Sequence, residues 1–151
     1  MRLLSKILFC FSLIFILTGC DTLAGGGTEQ TFTVSTGDRV RVRLDKKSDY
    51  IIFQKDNGFT IGKGNDVTIF GSFLTEEQYQ GVWAAGHEKN VRIIDEGENY
   101  CKFELKTADQ TGYYYLQWLD GGNGTGVFLN TVRSEEEFED IMRQIVIERT
   151  R

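Results

Sequence analysis

The sequence predicts an α+β domain, an antiparallel sheet of several hairpins with two amphipathic helices packed on it. Three observations lead there. From Thr31 onward apolar and polar residues alternate with period two over most of the chain, as half-buried strands do. Clusters rich in Gly, Asn and Asp separate these runs at hairpin spacing. Two segments then switch to helical period directly after a capping box.

The elements follow in order. In the first strand region Val40, Val42 and Leu44 point one way and Arg39, Arg41 and Arg43 the other. Residues 50–54 (YIIFQ) form a second apolar run. Residues 59–61 and 67–73 flank a turn at 62–66 (GKGND). Residues 91–94 and 100–106 flank 96–99 (EGEN), and residues 113–119 and 127–132 flank 120–126 (DGGNGTG). Thr75 and Gln78 make one capping box, after which Tyr79, Val82 and Trp83 share a face. Ser134 and Glu137 make the other, followed by Phe138, Ile141, Met142, Ile145 and Val146 as one apolar stripe.

Residues 73–79 and 132–138 line up, 59 positions apart, which suggests a β-hairpin–helix unit used twice. Each helix has one apolar stripe, so both are expected on one face of the sheet. A sandwich of five to eight strands with peripheral helices is the alternative. The order strands, helix, strands, helix is loosely similar to the PsbP/Mog1-like α+β folds, an analogy that carries no function.

The N-terminus reads differently. Arg2 and Lys6 precede residues 7–17 (ILFCFSLIFIL), an apolar run broken by Ser12 alone. At about 11 residues it is half the roughly 20 that a spanning helix needs, as in a signal-peptide core. Leu17-Thr18-Gly19-Cys20 follows and resembles the lipobox of bacterial lipoproteins. The resemblance covers residues 1–20. It implies that the Cys20 thiol carries diacylglycerol and that the chain is cut between Gly19 and Cys20. An ordinary secretory signal and an uncleaved anchor are the alternatives. The expected division is a cleaved signal peptide, 1–19, a lipidated cysteine with a flexible tether, 20–30, and one folded domain, 31–151. Burying acyl chains stabilises attachment by about 0.8 kcal/mol per CH₂, so two chains hold durably. The lipoprotein resemblance places the domain on the extracytoplasmic face of the cell membrane. In a Gram-negative cell it makes Asp21 a signal for retention at the inner membrane.

Charge narrows the partners. The chain has 17 basic and 22 acidic residues. Residues 1–19 contain Arg2 and Lys6 and no acid, so their removal takes the net charge from −5 to −7. Such a domain has no electrostatic attraction to nucleic acid or to anionic lipid. With Cys10 removed and Cys20 lipidated, Cys101 has no partner for an intramolecular disulfide.

No catalytic constellation stands out. Cys101 alternates with Phe103 and Leu105, an apolar setting that favours the neutral thiol. His87, the one histidine, follows the first helix as a cap residue, without a nucleophile elbow anywhere in the chain. One histidine and one free cysteine fall short of the usual zinc set, so neither a metal nor a cofactor is expected. In the 120–126 loop, Gly122 and Gly124 occupy positions where calcium needs oxygen ligands, and no phosphate-binding lysine follows. A mobile connection is expected there.

Two surfaces are candidates for a ligand or partner. In Tyr113-Tyr114-Tyr115-Leu116-Gln117-Trp118-Leu119 both strand faces are bulky, with Tyr113, Tyr115 and Leu119 opposite Tyr114, Leu116 and Trp118. Such a strand is central and covered, or it exposes an aromatic platform for a sugar or a protein. Arg39, Arg41 and Arg43 form a basic row, read as the solvated face of an edge strand or a grip for an acidic ligand. Together these features favour a tethered, non-catalytic binding or accessory domain of the cell envelope, with an envelope protein or a carbohydrate as ligand. A small hydrolase built on His87 or Cys101, and an assembly component of an envelope complex, are the alternatives.

Overall fold

A computed structural model describes residues 26–151. The expected signal peptide, Cys20 and Asp21 lie outside the described residues. Ten strands and two helices follow one another: β1 (Glu29–Thr33), β2 (Arg39–Arg43), β3 (Ile51–Lys55), β4 (Gly58–Lys63), β5 (Asp66–Leu74), α1 (Glu76–Gly86), β6 (Val91–Glu96), β7 (Tyr100–Lys106), β8 (Thr111–Leu119), β9 (Thr125–Thr131), α2 (Glu135–Gln144) and β10 (Val146–Thr150). The folded part begins before residue 31, since Gly27 bridges to Ile52 and β1 starts at Glu29.

Two antiparallel sheets result. Seven strands pair in the order β3-β4-β5-β9-β8-β7-β6, and three in the order β1-β2-β10. The three expected hairpins form as β4–β5, β6–β7 and β8–β9. β3–β4 is a further hairpin, closed by Asp56 and Asn57, with Asn57 in the left-handed region at φ 58°. A short polar side chain tolerates that conformation where most residues do not.

The small sheet and α2 pack on one face of the long sheet. There Val40, Val42 and Ile147 meet Ile61, Val127, Leu129, Phe138 and Ile141, all buried. α1 packs on the opposite face, where Tyr79 joins Cys101, Phe103, Leu116 and Phe128. The expectation that both helices share one face is therefore corrected. The central strands β8 and β9 are apolar on both sides, so each face needs its own cover. β9 alternates between the two cores, with Val127 and Leu129 in one and Phe128 in the other.

Both capping boxes are present, with Thr75 and Ser134 accepting from the Gln78 and Glu137 amides. The second helix stops earlier than its apolar stripe implies. Ile145 is extended at ψ 138°, and Val146 begins β10 and is exposed. Pairing with β2 along its whole length satisfies a row of backbone groups that a longer helix would leave open.

Candidate functional site

β8 carries the aromatic run through the middle of the long sheet, between β7 and β9. The predicted alternation holds, and both faces are covered. Tyr113 is buried against Phe138 of α2 at 5.9 Å between ring centres. Tyr114 stacks on Phe103 and Phe128 at 5.1 and 5.8 Å. Tyr115 is half-buried beside Tyr100, and burial pushes its phenol up to about 12. No continuous platform of three tyrosines is exposed.

Trp118 differs. Its indole is half-buried and forms the wall of a groove of about 420 Å³. Tyr79, Glu76 and Gln80 from the first turns of α1 line one side; Glu98 and Asn99 from the β6–β7 turn, with Asp120, line the other. A hollow of about 230 Å³ on a second side of Trp118 extends to Glu148 and Arg149 of β10. The strand end is fixed by the Trp118 amide donating to the Asn99 carbonyl at 2.7 Å. The indole itself packs on Tyr79 at 4.9 Å between ring centres.

The glycine-rich loop beside this groove is anchored, contrary to the mobile connection expected. Asp38, 5 % exposed, accepts the Asn123 amide through both carboxylate oxygens at 3.0 and 3.1 Å and the Thr125 hydroxyl at 2.7 Å. Gly122 lies at φ 69° against Asp38, where a Cβ would collide with the carboxylate. The loop thus ties the long sheet to the β1–β2 turn. The sequence signal, an isolated acid before the Arg39 row, is visible only once the two segments are known to meet.

The arginine row lies elsewhere. β2 is the central strand of its sheet, which corrects the edge-strand reading. Arg41 reaches Glu148 on β10 at 2.5 Å and Glu29 at 3.9 Å on β1. Arg39 and Arg43 make no ion pair with any described residue. Val40 and Val42 face the core, so the row faces away from it.

The remaining candidates converge. The α1 C-cap, His87, holds its ring between two acceptors. Nδ1 donates to the Trp83 carbonyl oxygen at 2.7 Å, and Nε2 lies 2.7 Å from Glu96 Oε1. The carbonyl and then the carboxylate raise the imidazole above its ordinary 6.5. Trp83 also lies against the ring at 4.9 Å. Glu96 pairs in register with Cys101 across the β6–β7 hairpin. The Cys101 thiol has no exposure, and burial, then Glu96 and Asp95, push it up to about 11. A His87 ring nitrogen, a Glu96 carboxylate oxygen and Sγ all lie within 4.8 Å of one another. This gives a protonated thiol beside an imidazole already bonded at both nitrogens, not a thiolate–imidazole pair ready for attack. The sequence spaced these residues legibly for Glu96 and Cys101, which flank one turn, but His87 arrives through the docking of α1. Comparison with family models, curated proteins and solved structures finds no match to this chain.

Proposed function

We propose that this chain is a lipid-tethered protein of the bacterial cell envelope whose folded domain is a non-catalytic binding module, with the Trp118 groove as its ligand site. The observation that carries the reading is a part-exposed indole flanked by two amides, Gln80 and Asn99, and three carboxylates, Glu76, Glu98 and Asp120. An aromatic face with planar polar groups around it suits a neutral polyhydroxyl ligand, which stacks on the ring and donates to the acids. The carboxylates disfavour an anionic ligand. The enzyme reading draws less support, because the His87 nitrogens are both engaged and the Cys101 thiol is held neutral. An assembly role would require a stoichiometric envelope partner, which crosslinking in intact membranes detects.

The test has two arms. Metabolic labelling with palmitate should mark the wild-type chain and not Cys20→Ser, which should leave the membrane fraction. Titration of the protein with neutral oligosaccharides, followed by tryptophan fluorescence, should give saturable quenching that Trp118→Ala abolishes. Failure of the first arm removes the tether; absence of saturable binding to any oligosaccharide removes the carbohydrate site.

A further inference from the structure

We propose that His87, Glu96 and Cys101 form a site for a zinc-like divalent transition-metal ion, bound through Nε2, one carboxylate oxygen and Sγ, with a fourth position open to solvent. Three chemically different ligands converge within 4.8 Å from a helix end and the two strands of a hairpin. A thiolate and an imidazole select a borderline-soft ion, whereas calcium and magnesium want more oxygen ligands than one carboxylate supplies.

The surroundings are those that a metal-binding histidine needs. Nδ1–H donates to the Trp83 carbonyl, which fixes the ring orientation, so that Nε2, once its proton has left, presents its lone pair to Glu96 and Cys101. The ring is further held by Trp83 at 4.9 Å. His87 caps the C-terminus of α1, where the helix dipole favours positive charge. Behind Sγ the wall is apolar, with Phe103, Leu116 and Tyr79 in the same cluster. In front, the His87 and Glu96 side chains are 34 % and 39 % exposed, which gives the ion a path inward.

Adjustment is small. Ligand atoms around tetrahedral zinc stand roughly 3.5 Å apart, given metal–ligand bonds of about 2.0–2.3 Å. Glu96 Oε1, now 2.7 Å from Nε2, would swing outward on its exposed side chain, and Sγ would turn toward the ring. The ion takes the place of the proton shared by Nε2 and Glu96. Binding releases the thiol proton and the Nε2 proton to solvent.

The full chain, purified in detergent, is titrated with zinc by calorimetry and with cobalt by absorption spectroscopy. One ion per chain is expected, with a thiolate-to-cobalt charge-transfer band. His87→Gln and Glu96→Gln, at exposed side chains that preserve the fold, should each weaken zinc by about tenfold or more. Cys101→Ser should remove the band. Absence of stoichiometric zinc binding overturns the site. So does zinc affinity unchanged in both exposed variants, or a charge-transfer band that persists in Cys101→Ser.

Discussion

On one face of the long sheet, α2 and the three-stranded sheet seal a core that includes Val40, Val42, Ile61, Leu129, Phe138 and Ile141, all without measurable exposure. On the other face α1 acts alone. Its Tyr79 is buried, but Trp83, Trp118 and His87 remain partly open to solvent, and the groove and the His87 cluster both lie along it. The two helices start with the same capping chemistry and enter similar strand-to-helix junctions. Their difference is what covers the sheet beside them. A second sheet shuts water out of the α2 side, while α1, at 11 residues, leaves gaps at both of its ends. Stability is concentrated on one face and accessible chemistry on the other.

The sharpest way to break this contrast is core truncation. Phe138→Ala should cost about 3–5 kcal/mol in denaturant unfolding. Trp118→Ala, on the open face, should cost about half of that or less, and an equal loss would show that the two faces are equally structural. Next, Asp38→Ala strips the acceptor from the Asn123 amide and the Thr125 hydroxyl. It should cost about 1–3 kcal/mol per group left unpaired, less whatever water regains. It should also perturb the Trp118 fluorescence, because the loop that it holds borders the groove. Smaller still are the caps. Thr75→Ala and Ser134→Ala should each cost about 1 kcal/mol, and similar values in thermal melts would confirm that the helices differ in packing and not in their starts.

The smallest effect concerns acid. Glu104, 4 % exposed, is bonded by Arg92 through both carboxylate oxygens and lies near Lys106, and Arg92 first among these holds it below its ordinary 4.5. The ionised form is preferred by the folded state. Its contribution is complete above 4.5 and fades as pH falls through the lowered folded value. The wild type should therefore lose more stability than Glu104→Gln between pH 5 and pH 2, as read by urea midpoints.

The parts of the fold that rest on neighbouring residues were readable. The two capping boxes, the opposed faces of β2 and β8 and three hairpins follow from short-range spacing. What escaped was long-range. Val146 continues the helical stripe of α2, so nothing local says that it leaves the helix; the unpaired edge of β2 decides that. One local feature was missed as well, the Asp56-Asn57-Gly58 turn that joins β3 and β4. The burial of Tyr113 and Tyr114 depends on which element lies over each face, and α1 and α2 take different ones. His87 meets Glu96 and Cys101 for the same reason, through helix docking and not through spacing.

The pairing of β2 with β10 has a consequence for how the chain comes to be folded. The Thr150 hydroxyl donates to the Arg39 carbonyl across 111 residues. The small sheet that roofs the main core therefore stays incomplete until the last described strand has been synthesised. Contacts of such separation form slowly, since the loop must close before they contribute. A roof strand placed this late delays closure of the main core until every other described strand is available.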